Sequence, residues 1–135
     1  MTTNTLTQHS YGIRRETQLP QDEALQRVKA TLKEQGFGVL TEIDMAATMM
    51  EKLNLTIEPY VILGACNPPL ARRALEADRA IGLLLPCNVV VRREPHATVV
   101  EAMDPVAALG LVQSEEMHAV AFEAKERLMK ALEAI

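Results

Sequence analysis

Apolar positions follow two different periods along the chain, and each period predicts one kind of element. In the segment 20–36, Leu25, Val28 and Leu32 recur at helical spacing. A second helical stripe follows Ser114, a preferred cap residue, and continues towards the end of the chain. These stripes predict two main helices, each with one apolar face to bury.

Shorter β-type runs, rich in Val, Ile and Leu, are bounded by Gly, Pro, Asn and Asp. Only Pro95-His96 separates the last two runs, which predicts an antiparallel hairpin. Asp44 and Asn67 are preferred cap residues, and each precedes a short helical segment. The predicted strands are 9–17, 37–43, 58–66, 81–94 and 97–103, and the predicted middle helices are 45–54 and 68–77.

The order β-α-β-(α)-β-(α)-β-β-α favours an α+β fold in which the two main helices pack on a single antiparallel sheet. The 135 residues suffice for one core and show no repeat or linker. We therefore expect a flexible polar lead-in over residues 1–8 and a single domain over residues 9–135. If the run 83–91 is apolar on both faces, its outer face needs a cover. A second copy of the chain would supply it, and so would the middle helices.

Composition excludes several classes of function. The chain has no Trp, two Tyr and two Phe, so it lacks the stacking platforms of a single-stranded nucleic-acid binder. Its net charge is −4 and no basic stripe is evident, so we expect no nucleic-acid partner. No run approaches the roughly 20 apolar residues of a membrane span, and residues 1–10 do not resemble a secretory signal. We expect no membrane partner, a cytoplasmic location and reduced cysteines.

Three stretches carry a family resemblance. GFGVLTEIDM (36–45), YVILGACNPPLARRAL (60–75) and IGLLLPCNVVVR (81–92) resemble the bacterial and archaeal family called domain of unknown function 302. The likeness extends over about residues 10–133. It implies a TATA-binding-protein-like fold, a curved antiparallel sheet with two main helices, and a homodimer. It implies no activity, because the family's activity is not established, and function has to be argued from the site.

Both cysteines stand in Cys-Asn pairs, Cys66-Asn67 and Cys87-Asn88. Cys66 is predicted to end a strand just before a helix that Asn67 caps, and the positive end of that helix would lower the pKa of the thiol. Strand alternation predicts that Cys87 and Asn88 point to opposite faces of the sheet. All four are candidate ligand-binding residues, and Cys66 is the candidate catalytic nucleophile. The alternative, that both thiols act as small buried hydrophobes, is the commoner role of free cysteine.

Glu42 and Asp44 are the acidic candidates, because alternation places them on the same side of a strand. Paired carboxylates serve acid–base chemistry or bind a cation, although an Asp in this position is more often a helix cap. The cysteine and histidine spacings match no metal-binding pattern, so no metal site is predicted. No nucleophile, phosphate-loop or dinucleotide motif is present. The cofactor is therefore unassigned, and the sequence leaves open whether the chain is an enzyme.

Three functions follow from these candidates. The first is a homodimeric module that binds or senses a small molecule, a metal ion or a sulfur species near the two Cys-Asn pairs. The second is a thiol-dependent enzyme or sulfur carrier that uses Cys66 as its nucleophile. The third is a structural dimer without a ligand.

Overall fold

The computed structural model describes residues 6–135. Six antiparallel strands form one open sheet in the order β1-β2-β6-β5-β4-β3. This arrangement, with helices packed on the sheet, confirms the predicted α+β class. The elements in chain order are β1 (Thr7–Gln8), β2 (Gly12–Thr17), α1 (Gln21–Glu34), β3 (Gly38–Asp44), α2 (Met45–Leu53), β4 (Tyr60–Cys66), α3 (Pro68–Ala77), a 3₁₀ helix (Arg79–Leu84), β5 (Cys87–Glu94), β6 (Ala97–Met103), α4 (Pro105–Leu109) and α5 (Glu115–Glu133).

Local sequence explains where the helices begin and end. The side chains of Asp44, Asn67 and Ser114 each accept a hydrogen bond from the backbone N–H three residues later. These bonds satisfy N–H groups that have no partner within the helix. Gly36 adopts a φ of +84° just after α1, a conformation that glycine enters without steric cost. The helix caps predicted at Asp44, Asn67 and Ser114 are therefore confirmed.

The main core lies between the inner face of the sheet and the two long helices, α1 and α5. A second apolar cluster joins α3, the 3₁₀ helix, α4 and α5 beside it. The fully buried members of the main core include Val28, Leu32, Leu63, Val89, Val91, Val100, Leu128 and Leu132. The second cluster contains Leu70, Ala74, Ile81, Leu109, Met117, Val120, Ala121 and Ala124.

A buried cation fixes the end of α5 to the sheet. Arg15 on β2 is only 2% exposed. Its guanidinium donates hydrogen bonds to the carbonyl oxygens of Leu132 (2.7 Å), Glu133 (3.0 Å) and Ile135 (3.1 Å). Carbonyls near a helix C-terminus lack partners within the helix and carry its negative end, so a cation is well placed there.

The long predicted strand 81–94 is wrong in its first half. Residues 79–84 form the 3₁₀ helix, which Asp78 caps by accepting a hydrogen bond of 2.9 Å from the Ala80 N–H. The strand begins at Cys87, after Pro86, which has no N–H to donate to the sheet. A short apolar run does not by itself distinguish a strand from a helical turn, which is why periodicity misassigned this segment.

Two short elements lie where the sequence predicted none. Thr7–Gln8, within the predicted lead-in, form β1 and pair with β2. Residues 1–5 of the predicted flexible lead-in lie outside the described residues. Pro105–Leu109 form α4, and the side chain of Asp104 caps it by accepting a hydrogen bond from the Val106 N–H.

Edge strand β3 and helix α2 form an exposed arm, residues 38–57, in which no residue is buried. Leu53 on α2 is 66% exposed. Large apolar side chains rarely collect in such a segment without a partner surface. The other exposed apolar residues of the β3–α2 arm are Leu40, Ile43, Met50 and Leu55.

Candidate functional site

An apolar cavity of about 300 Å³ opens where β4 ends and β5 begins. Its other walls include residues of α3, α5 and the 3₁₀ helix. Because the lining takes residues from both apolar clusters, the cavity lies between them. Three of the four candidate residues, Cys66, Asn67 and Cys87, line its wall. The other lining residues are Phe37, Leu40, Ala65, Leu70, Ala71, Ala74, Leu75, Gly82, Leu85, Pro86, Leu109, Val120 and Ala124.

The register of the sheet brings the two thiols to this cavity. Cys87 lies opposite Ala65 in the β4–β5 ladder, and Cys66 is the next residue after Ala65. Both cysteines are free thiols. Cys87 is 7% exposed and belongs to the main core, whereas Cys66 is half-buried at the end of β4. The two sulfurs therefore meet one cavity from different depths.

The predicted lowering of the Cys66 pKa is wrong. Burial raises the pKa of the Cys66 thiol. Burial and, secondarily, the charge of Cys66 raise the pKa of Cys87 to about 11. Apolar surroundings disfavour a thiolate because the charge loses its hydration without gaining a partner. Both groups are therefore neutral S–H groups at neutral pH, and the position before α3 does not by itself activate Cys66.

Asn67 has a structural task in the cavity wall. Its Oδ1 accepts a hydrogen bond of 3.2 Å from the Leu70 N–H, and the residue is 7% exposed. Its Nδ2 faces the backbone of Gly36, where an added Cβ would lie only 2.9 Å away. Asn67 thus caps α3, lies against the turn after α1 and forms part of the cavity wall.

Comparison with known proteins gives the chain a family. A family model described as domain of unknown function DUF302 matches residues 13–135. The chain belongs to the DUF302 family. Its fold is also similar to the crystal structure of an uncharacterized conserved DUF302 protein from Bacillus stearothermophilus, with a TM-score of 0.85 and 28% identity. That match covers 92% of this chain and 98% of the other. No curated protein matches the sequence.

The fourth candidate of this DUF302 domain, Asn88, lies apart from the other three. Because residues alternate along β5, Asn88 projects from the outer face of the sheet, opposite to Cys87. It is exposed and lines a separate groove on that face. Alternation was predicted correctly, but it excludes a common site for the two Cys-Asn pairs.

The acidic candidates of this DUF302 domain do not form a shared site. Glu42 forms an ion pair with Lys29 of α1, and Asp44 caps α2 by accepting a hydrogen bond of 2.9 Å from the Ala47 N–H. Within residues 6–135, no cluster of three or more His, Cys, Asp or Glu side chains is arranged to hold a metal ion. None of the helices in this range combines the length and the apolarity that crossing a bilayer requires.

Most of the cavity wall in this DUF302 domain was not predicted as a site. Leu70, Ala74, Val120 and Ala124 come from α3 and α5, and their stripes predicted buried faces but not the space between them. Small side chains at Ala74 and Ala124 leave that space open. The position of the cavity depends on how the helices pack against each other. The local sequence around Ala74 and Ala124 therefore did not indicate that these residues border a cavity.

Proposed function

We propose that this DUF302 domain binds a small, uncharged, largely apolar molecule in the cavity that Cys66 and Cys87 line. The observation that supports this function is the composition of the wall, which is built of Leu, Ala, Val, Phe and Pro around two thiols and one Asn. The Oδ1 of that Asn, Asn67, already accepts a backbone hydrogen bond. An ion or strongly polar ligand would lose its hydration here without adequate replacement.

The protonation of the thiols favours this function over the two others considered for the same site. A divalent metal ion and a nucleophilic mechanism both require thiolate. Burial raises the pKa of Cys66, and the pKa of Cys87 is about 11. As neutral groups, the sulfurs offer soft, polarizable contacts and weak S–H donors to an apolar ligand. A thiol-dependent enzyme or sulfur carrier remains the alternative, and it would need a ligand that activates Cys66.

A fluorescent, uncharged probe tests the cavity. We expect 1-aminoanthracene to bind with increased emission and to slow alkylation of Cys66 by iodoacetamide. Ala71→Phe, a substitution at a half-buried position of the wall, should weaken binding by tenfold or more, an order-of-magnitude expectation for blocking an apolar pocket. Ala30→Phe, on the exposed side of α1, is the matched control and should bind like the wild type. Equal binding by both variants, or no binding by the wild type, would reject the function.

We also propose that two copies of the chain associate through the β3–α2 arm. Strand β3 lies at the edge of the sheet, where one side of its backbone has no neighbouring strand among the described residues 6–135. An edge strand can pair antiparallel with its own copy about a two-fold axis, and the exposed apolar residues of the arm would then be covered. The structural dimer considered from the sequence corresponds to this association alone, without a ligand in the cavity.

Sedimentation at micromolar concentration tests the association. We expect a dimer for the wild type and a monomer for Leu53→Glu. Leu83→Glu changes an apolar residue that is 87% exposed outside the arm, and we expect that control to stay dimeric. A wild-type monomer would exclude the dimer, and a dimer that survives Leu53→Glu would place the interface elsewhere.

A further inference from the structure

The two thiols of the apolar cavity lie close enough to form a bond with each other. Cys87 pairs with Ala65 across the β4–β5 ladder, and Cys66 follows Ala65 directly. Directly opposite residues in an antiparallel pair have Cα atoms about 4.5–5.5 Å apart, and a strand rises about 3.3 Å per residue. The Cα atoms of Cys66 and Cys87 are therefore about 6 Å apart, within the range of roughly 4.4–6.8 Å that disulfides span.

The side chains of Cys66 and Cys87 also face a common space. Alternation along a regular strand would turn Cys66 away from Cys87, but Cys66 is the last residue of β4 and lines the same cavity as Cys87. The charge of a Cys66 thiolate contributes to the raised pKa of Cys87, and such an effect requires proximity. Because Cys66 is only half-buried at the end of its strand, its side chain has room to rotate towards Cys87.

The cavity offers neither thiol a partner that would stabilise its charged, reduced form. Within residues 6–135, no charged side chain lines the cavity, and its wall is apolar apart from the two thiols and Asn67. Burial accordingly raises the pKa of Cys66, and the pKa of Cys87 is about 11. Stabilising the thiolate of a cysteine pair favours its reduced form, so a pair without that stabilisation favours the disulfide. Oxidation of Cys66 and Cys87 therefore sacrifices no electrostatic stabilisation of the reduced pair.

We propose that Cys66 and Cys87 are a reversible redox pair, which a small-molecule disulfide oxidises to an intramolecular disulfide and an excess of the matching thiol reduces again. The bond removes both S–H groups from the cavity wall and joins the end of β4 covalently to the start of β5. The oxidation state of the pair then follows the ratio of thiol to disulfide in the surroundings, which makes the cavity responsive to redox conditions. The proposal does not rest on the ligand of the proposed function, since it needs only the positions of the two thiols.

Burial decides which cysteine reacts first. Cys66 is half-buried, whereas Cys87 is 7% exposed, so a small disulfide from solution reaches the sulfur of Cys66 first. Only a small fraction of Cys87 is thiolate near neutral pH, because its pKa is about 11. Its attack on a neighbouring sulfur is intramolecular, however, and proximity offsets the low thiolate fraction. Cys66 is therefore the cysteine that attacks the oxidant, and Cys87 is the one that closes the bond.

Two thiol–disulfide exchanges form the bond. The Cys66 thiolate attacks one sulfur of the small disulfide, which breaks that S–S bond, leaves a mixed disulfide on Cys66 and releases one small thiolate. The Cys87 thiolate then attacks the Cys66 sulfur, forms the Cys66–Cys87 bond and displaces the second small thiolate. Each released thiolate takes up the proton that one cysteine has lost. Two cysteine S–H groups are thus oxidised to one S–S bond, and the small disulfide is reduced to two thiols.

Equilibration of the wild-type chain with glutathione redox buffers tests the pair. Mixtures of millimolar glutathione with increasing glutathione disulfide are incubated without oxygen, and excess N-ethylmaleimide in denaturant then blocks every remaining thiol. We expect mass spectrometry to show a main oxidised species that carries neither glutathione nor N-ethylmaleimide. Trypsin places Cys66 and Cys87 on separate peptides, 53–72 and 80–92, and the disulfide should link these two peptides.

The unfolded chain and two variants are the controls. Half-oxidation of the native wild type should need at least about tenfold less glutathione disulfide than the same chain in denaturing urea, because folding holds the two thiols together. Cys87→Ser should stop at the mixed disulfide on Cys66, since the cysteine that closes the bond is missing. Cys66→Ser should take up at least about tenfold less glutathione than Cys87→Ser, because its remaining thiol is buried.

The result in the native wild type decides the proposal. A native chain that ends as glutathione adducts, that links its cysteines between two molecules, or that oxidises no more readily than in urea would overturn it. The comparison of native and urea-unfolded wild type does not depend on whether a variant folds. Binding of 1-aminoanthracene is measured on the reduced chain, so a cavity that binds no probe would reject the proposed function and leave the redox result unaffected.

Discussion

Cys87 lies opposite Ala65 across the β4–β5 ladder, and its side chain is therefore part of the buried inner face of the sheet. Cys66, one residue beyond Ala65, is less buried at the same cavity. Two thiols at one site thus have unequal access to solvent, and this difference can be measured.

Alkylation at pH 7 should distinguish the two thiols. We expect Cys66 to react with iodoacetamide more slowly than free glutathione, because burial raises its pKa and reduces its thiolate fraction. Cys87, which is more buried, should react more slowly still, and Cys66→Ser and Cys87→Ser assign the two rates by mass spectrometry. A Cys66 that reacts faster than glutathione would instead favour the thiol-dependent enzyme.

Stability should fall at alkaline pH because of Cys87. Its pKa rises from an ordinary value of 9.0 in the unfolded chain to about 11 in the folded domain. The unfolded state therefore loses this proton first, so the stabilisation is complete below pH 9 and is lost as the pH rises towards 11. The linked loss in free energy of unfolding is about 2–3 kcal/mol. Urea denaturation of the wild type and Cys87→Ala at several pH values measures it, and parallel curves would contradict the prediction.

Arg15→Met should destabilise the domain by about 2–4 kcal/mol, because the carbonyls of Leu132, Glu133 and Ile135 lose a buried, charged donor. Arg72→Met is the matched control, since Arg72 is highly exposed and its only ion-pair partner within residues 6–135 is Glu76 on the same helix. That substitution should change the free energy of unfolding by less than about 0.5 kcal/mol. Chemical denaturation of the two variants provides the comparison, and similar losses would show that Arg15 is not a structural clamp.

Two glycines near β3 should respond differently to alanine. Gly36 has a φ of +84°, and a Cβ there would lie 2.9 Å from Asn67 Nδ2, so Gly36→Ala should cost about 1–2 kcal/mol. At Gly38 an added Cβ meets no atom within 4 Å, and Gly38→Ala should be nearly neutral. Thermal unfolding checks both variants. If Gly36→Ala were as stable as Gly38→Ala, the contact with Asn67 would not constrain the cavity wall.

Much of the fold could be predicted because short-range chemistry decides it. Helix caps form at Asp44, Asn67 and Ser114 because each side chain can accept a hydrogen bond from the backbone. The two residues Pro95-His96 leave room only for a tight turn, so β5 and β6 form a hairpin. The segment 81–86 failed this approach because its apolar run fits either a strand or a helical turn. Short elements such as β1 and α4 carry too few residues for a periodic signal.

The site was predictable only in part. The period of two along a strand predicted that Cys87 and Asn88 point to opposite faces, as they do. The sequence left open how far Cys66 lies from Cys87, because that distance depends on the register between β4 and β5. The direction of the Cys66 pKa shift was missed, because the dipole of α3 is visible in the sequence and the burial imposed by distant helices is not.

The hydrogen bonds of Arg15 also set an order of events during synthesis. The acceptor carbonyls belong to residues 117 to 120 positions further along the chain. A chain under synthesis must therefore extend through residue 135 before this guanidinium can reach all three acceptors, and contacts of such long range form slowly. Until then the nascent sheet lacks one of the two helices that cover its inner face, so we expect this domain to fold as one unit rather than segment by segment.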